Sequence, residues 1–441
     1  MIVVDFNKLK QVVIETDLNK LVWPLWKKIS CLFFCTYFLI YMLPFPLDFI
    51  PGIKSVILFF SNFLNEAILW TGNDVFKFNQ LKKIPQNGSG DGLFEYVKIL
   101  TFLIFSLIIT VVVFGLKIKK INYPALYYWV KTYARYFVGT FMLEYGLLKF
   151  FEGQFSFPDF IKLEQPLGDF SPMGLLWTFM GYSKAYAVFS GLAECTGGFL
   201  LFFRRTTVLG SLVTLGVMAN VVMMNFCYDV PVKIFSSHLF LITLFIITPD
   251  LKILFSFFVQ GNNVSLPASP FHFKHKWIRT GRLFLKSIII SCILGFLLFE
   301  SIVVLPRYNN QDSANILNGI YTTETYTRNN VVLPPLDSDT FRWRKLVLNN
   351  THSKIVTMSD FTRRYEVVVD TNQRKLILKS QPQGNGLYTL DYQVLPGNYL
   401  SVSGYYNYDS IRVVLKKFRA AEDFLLVNRG FHWVNEYPFN R

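Results

Sequence analysis

The chain has 441 residues, 52% of them hydrophobic and 17% aromatic, with a mean hydropathy of +0.34, which describes an integral membrane protein carrying a soluble part. The net charge of +15 does not point to nucleic acid, because Lys and Arg stand in short segments beside apolar runs, as in membrane topology signals, and form no groove-like patch. The five cysteines, Cys31, Cys35, Cys195, Cys227 and Cys292, all lie in or beside apolar segments, which excludes a disulfide-stapled secreted domain and any zinc-ligand spacing.

Residues 1–28 are charged and read as a cytoplasmic N-terminal segment; the apolar run Ile29 to Leu43 follows without a cleavage site, so it is a retained first span. Cys31 and Cys35 share a face of that helix and fit either a redox pair or buried apolar thiols. Ile53 to Trp70 gathers Ser55, Ser61, Asn62, Asn65 and Glu66 mostly on one side, as an interfacial helix does. The Gly-rich loop Asn87 to Gly92 is either an anion nest or a turn feeding the next helix. Lys98 to Leu116 is a second span, and Lys117, Lys119 and Lys120 mark its cytoplasmic end, so residues 29–126 hold two spans and the outer helix between them.

Residues 127–258 form a four-helix membrane unit. Tyr127, Tyr128 and Trp129 make an interfacial belt before the third span, Thr132 to Phe151, and the loop Glu152 to Gly174 is acidic and external. The fourth span is read from Leu176 to Phe203, ending at Arg204-Arg205; the fifth runs from Val208 to Phe226 and the sixth from Leu239 to Phe258. A basic cytoplasmic loop, 259–286, contains His272 and His275, and a seventh span, 287–305, leads out. Seven spans with the N-terminus inside and the C-terminus outside agree with the charge bias at every loop.

From 306 to 441 the composition changes. Period-two runs at Phe341–Leu348, Tyr365–Val369, Lys375–Leu378, Leu387–Tyr392, Asn398–Tyr406 and Ser410–Leu415 alternate with turn signals and predict a small antiparallel β-barrel or sandwich of about 100 residues outside the membrane. Asn349-Asn-Thr351 has the form of a glycosylation sequon. The tail, with Phe431, Trp433, Tyr437 and Phe439, is expected to cover a surface, as a clamp on the β-domain or on the outer face of the bundle.

Charged groups inside a bilayer cost about 2.5–3.5 kcal/mol each on insertion scales, so they mark packing or function. Small-residue stripes on the third and fourth spans predict a tight helix pair, and comparable depths predict a buried Arg135–Glu194 ion pair. Towards the outside, Glu144, Lys149, Asn220, Asn225, Asp229, Lys233 and His238 are expected to converge on one polar pocket sized for a quinone, with His238 accepting a proton and Asp229 or Glu144 orienting it. No metal site is expected, since no carboxylates accompany the histidines at ligand spacing; no haem is expected either, because His238 alone lies at a span.

Arg135-Tyr-Phe-Val-Gly139 with Gly146-Leu-Leu-Lys149, Gly191-Leu-Ala-Glu-Cys-Thr-Gly-Gly198 with Arg204-Arg205, and the segment Asn220 to His238 together resemble the DoxX family of membrane proteins over about 130 residues. The resemblance implies a helical membrane subunit, some members being linked to thiosulfate–quinone oxidoreduction or to membrane oxidoreductase complexes. The additional spans and the β-domain depart from that family. The expected place is the bacterial inner membrane, with the β-domain in the periplasm, membrane lipid around the spans, another envelope or membrane protein as partner, and no nucleic acid. Three functions fit: a quinone-linked redox or accessory subunit, a non-catalytic scaffold of an envelope complex, or a carrier of lipid or another small hydrophobe.

Overall fold

The structure is a computed structural model that describes residues 23–47, 52–78, 81–82, 89–118, 120–263, 276–304, 317–349, 352–380 and 386–440. Lys8, Lys10 and Lys20, Asn87 and Gly88, the loop with His272 and His275, and Asn350-Thr351 of the sequon lie outside the described residues. The chain divides into two compact units: residues 1–155 with 183–303, and residues 156–182 with 304–441.

The first unit is helical: α1 (Leu25–Met42), α2 (Lys54–Trp70), α3 (Leu93–Gly115), α4 (Tyr123–Phe150), α5 (Lys184–Phe202), α6 (Thr207–Cys227), α7 (Lys233–Ile247), α8 (Leu251–Phe258) and α9 (Lys276–Phe299). Six helical stretches among the described residues are long and apolar enough to cross a membrane: Leu25–Met42, Leu93–Gly115, Lys184–Phe202, Arg204–Cys227, Lys233–Phe258 and Leu283–Val303. Helix α4 is absent from that set because Lys131, Arg135, Glu144 and Lys149 interrupt it, yet its 28 residues reach ~42 Å. Its start is written locally. Asn122 accepts the Ala125 N–H at 3.0 Å, and Pro124 occupies the first turn, where its missing N–H costs nothing.

Around α4 the core is apolar, with Phe38 and Met42 of α1, Val97 and Phe102 of α3, Leu201 of α5, Met218 of α6 and Ile242 and Ile246 of α7 packed against Ala134, Phe137, Val138 and Met142. Helix α9 packs through Ile290, Ile293 and Leu297 against Leu143 and Phe202. The fourth span is shorter than the apolar run suggests. Ser183 breaks it, its side chain accepting the Tyr186 N–H at the start of α5, and the preceding helix Pro172–Tyr182 belongs to the second unit.

That second unit is an antiparallel barrel. Its strands are β1 (Gly319–Arg328), β2 (Val331–Val332), β3 (Trp343–Leu348), β4 (His352–Thr357), β5 (Thr362–Asp370), β6 (Lys375–Ser380), β7 (Leu387–Leu395), β8 (Tyr399–Tyr406) and β9 (Asp409–Arg419). Strands β3 to β9 follow one another as a meander, β1 pairs with both β3 and β9, and the two-residue β2 is appended to the end of β1. Eight strands thus close on themselves, which removes the open edges a sandwich would expose. Alternating side chains, among them Leu346, Leu376, Leu378, Leu390, Val402, Val413 and Leu415, fill the interior.

Segment 156–182 packs on this barrel. Phe160, Ile161 and Leu163 cover Ile320, Val347 and Phe424, the Lys345 ammonium donates to Glu164 at 2.6 Å, and Asn349 donates to Asp159 at 3.1 Å. The C-terminal tail adds no last strand to the barrel and does not clamp it. It folds around Arg429, which bonds His432 and Asn435 and stacks on Phe439 at 4.5 Å, while Trp433 is 92% and Tyr437 84% exposed.

Candidate functional site

The polar side chains of the helical unit form four separate groups where the sequence suggests one pocket and one ion pair. The first group is built by close helix packing. Helices α4 and α5 approach until Gly146 lies against Gly191 and Gly139 against Gly198: a Cβ on Gly191 would stand 2.5 Å from the Gly146 carbonyl oxygen, and one on Gly198 2.7 Å from that of Gly139. These two contacts set an antiparallel register in which Glu194 is level with Leu143.

The register decides which cation Glu194 receives. Lys149 lies six residues further along α4 from that level and Arg135 eight residues back, ~9 Å and ~12 Å along the axis. Side chains also lean towards the N-terminus of their own helix. Lys149 and Glu194 therefore lean towards each other, whereas Arg135 leans away. The Lys149 ammonium donates to both carboxylate oxygens of Glu194, at 2.6 and 2.8 Å, with both side chains buried. The expected Arg135–Glu194 pair is thus replaced by Lys149–Glu194, which also takes Lys149 out of the expected outer pocket. Arg135 instead donates through Nε to the Leu201 carbonyl at 2.9 Å, at the end of α5.

The second group surrounds His238 on α7. Its Nδ1 donates to the Ile234 carbonyl at 2.7 Å, which in the neutral ring leaves Nε2 to accept from the Tyr37 hydroxyl of α1 at 2.6 Å. The Tyr41 ring stacks on the imidazole at 4.0 Å between centroids. Both ring nitrogens are occupied, so an incoming ligand reaches His238 only by displacing Tyr37. Neither tyrosine stood out in the sequence, where aromatic residues inside an apolar run read as ordinary lining.

The third group closes the turn between α6 and α7. Asn225 donates to the Ser236 hydroxyl at 2.9 Å. Asp91, on the Gly-rich loop, accepts the backbone N–H groups of Lys233 and Ile234 at 2.8 and 3.0 Å, and the Gly90 N–H donates to the Pro231 carbonyl at 2.8 Å. A carboxylate is thereby supplied from another loop to the positive end of α7. The described part of that loop leads straight into α3, with Gly92 at its N-cap, and also supplies a cap to a distant helix. Lys233 also pairs with Asp229 at 2.8 Å, on a side chain that is 82% exposed.

Two expected pocket residues stay outside these groups. Asn220 is exposed on α6, and Glu144 is half-buried on α4 with no hydrogen-bond or ion-pair partner among the described residues. The fourth group lies at the other end of α4, where Lys131 donates to Asp250 at 3.0 Å and the Tyr127 hydroxyl donates to the Phe245 carbonyl at 2.6 Å. Cys31 and Cys35 of α1 face one another at 3.8 Å between sulfurs, as free thiols. No cluster of three or more His, Cys, Asp or Glu with metal-holding geometry occurs among the described residues.

The chain matches no protein-family model and no solved structure. It is 31% identical over 126 residues to the uncharacterized protein YwoB of Bacillus subtilis (strain 168), a match that takes in 29% of this chain and 80% of that protein. Over that length the chain belongs to the same family as YwoB.

Proposed function

We propose that this relative of YwoB is a seven-span, DoxX-like protein of the bacterial inner membrane that serves as a non-catalytic accessory subunit, holding its barrel unit in the periplasm for a partner in an envelope complex. The observation that carries this reading is the pairing, within the bundle, of several polar groups that the sequence assigns to a ligand pocket. Lys149 and Glu194 engage one another, His238 is closed by Tyr37 and Ile234, and Asn225 is bonded to Ser236. Buried polar groups paired in this way hold helices together and are not themselves free to bind a substrate. By contrast, the second unit presents Phe431, Trp433 and Tyr437 to the surroundings, residue types enriched where proteins grip one another.

The span count rests on parity. Asp91 bonds the turn before α7, so the loop ahead of α3 and that turn share a side of the membrane. Between them run α3, α4, α5 and α6, an even number only if α4 crosses as well. Likewise segment 156–182 packs on the barrel. The four spans α5, α6, α7 with α8, and α9 separate them, which returns the chain to the same side. The Arg204-Arg205 turn and the aromatic belt at Tyr127 to Trp129 fall on the opposite side, inside by the charge rule.

The second reading, a quinone-linked redox subunit, is favoured by one feature, the hydrogen-bonded Tyr37–His238 pair under the Tyr41 ring, where a proton can pass between hydroxyl and imidazole. Purification of the full chain from its own membranes in mild detergent separates the two. A partner of fixed stoichiometry, lost when residues 429–441 are removed, is the expected result. A co-purifying quinone that is lost on His238→Ala, with no partner protein, overturns the accessory role in favour of the redox one.

A further inference from the structure

The register that gives Glu194 to Lys149 leaves Arg135 without a carboxylate. Its side chain is buried, with the residue 7% exposed, and its Nε spends one N–H on the Leu201 carbonyl. Among the described residues the four N–H groups of its two terminal nitrogens have no hydrogen-bond acceptor, and no carboxylate comes within ion-pair distance. A guanidinium in that state presents a planar fork that fits two oxygens of a phosphate.

The surroundings have one predominant sign. Lys131, one turn away on α4, and Arg204, on the turn after α5, belong to the same electrostatic group as Arg135. Lys286 of α9 stands over the Phe203 ring at 4.7 Å. The carboxylate within this group is Asp250, and Lys131 holds it at 3.0 Å. Leu201, whose carbonyl anchors Arg135, is three residues from Arg204, so the site opens at the depth where headgroups of the cytoplasmic leaflet meet the bundle. Basic pockets between helices on that side suit anionic phospholipids.

We propose that Arg135 holds the phosphate of an anionic phospholipid of the cytoplasmic leaflet between the end of α5 and α4, with Arg204 and Lys131 adding charge around the headgroup. Such a lipid would complete the packing of α4 on α5 at the inner end, as Lys149–Glu194 does nearer the outer end. The proposal is independent of whether the protein is an accessory or a redox subunit.

Delipidated full chain in mild detergent, mixed separately with phosphatidylglycerol, phosphatidylcholine or inorganic phosphate and read by native mass spectrometry, tests it. Phosphatidylglycerol should be retained about tenfold or more over phosphatidylcholine. Arg135→Gln should reduce that retention about tenfold, with partial rescue in Arg135→Lys. Should Arg135→Gln fail to fold, Arg204→Gln on the exposed turn should still weaken retention of phosphatidylglycerol. Equal retention of the two lipids, or phosphatidylglycerol binding indifferent to both substitutions, overturns the site. Displacement of phosphatidylglycerol by millimolar inorganic phosphate overturns the lipid source and leaves a soluble phosphate as the ligand.

Discussion

Lys149 and Glu194 meet because the glycine contacts set the register of α4 and α5 and because, in that register, the two side chains lean towards each other across the offset between them. A buried pair of this kind adds little over an apolar pair of equal volume, but removing one partner strands a charge at a cost of about 3–5 kcal/mol. Glu194→Gln and Lys149→Met should therefore each lower the melting temperature in detergent, and the double variant should lie closer to wild type than either. Single variants that melt like wild type would contradict the buried pairing. The acid was legible in the sequence as a charge in an apolar run. Its partner was not, since relative depth counted from the helix ends ignores the helix register and the direction in which side chains lean.

Among the elements, the β-strands were the most legible, because alternation marks them directly. Six strand runs stand out, but β1 and β4 do not. Strand β1, Gly-Ile-Tyr-Thr-Thr-Glu-Thr-Tyr-Thr-Arg, carries polar residues on both faces, and it pairs irregularly with β9 around Thr323 and Thr325. Since β1 closes the barrel, its obscurity is why barrel and sandwich both remained open. The closure has an electrostatic latch at its end. Arg328 Nε donates to Asp409 at 2.8 Å and Asn329 donates to the same carboxylate at 2.7 Å.

The hydrogen bond from Arg328, followed by that from Asn329, lowers the Asp409 pKa below the usual carboxylate range. The folded barrel thus favours the ionised carboxylate. This contribution to stability is complete above the ordinary carboxylate pKa and disappears as pH falls through the lower folded value. Acid should loosen the β1–β9 junction, and Asp409→Asn should flatten that part of the pH dependence of barrel melting below about pH 4. An unchanged acid limb in the variant would remove Asp409 from the account.

For the whole molecule, the charge bias reads seven crossings, whereas six helical stretches among the described residues are long and apolar enough to cross, α4 being too polar to qualify by hydropathy. Two features were invisible at that level. Segment 156–182 belongs to the barrel unit, and the capping carboxylate of α7 comes from a loop more than a hundred residues earlier. Both are long-range contacts, which periodicity and composition cannot express. They nevertheless constrain the proposed topology, because each ties together two segments with four long helical stretches between them.

The proposed topology predicts a definite sidedness for each loop. In a background without native cysteines, Ser171→Cys on the segment beside the barrel, Tyr408→Cys on the fully exposed barrel turn and Arg205→Cys after α5 can be probed with a membrane-impermeant maleimide in intact spheroplasts. The expected result is labelling at 171 and 408 from outside, and at 205 only after permeabilisation. Labelling of 171 and 408 from opposite sides, or of 205 from the outside, would contradict the seven-span arrangement and the periplasmic barrel together.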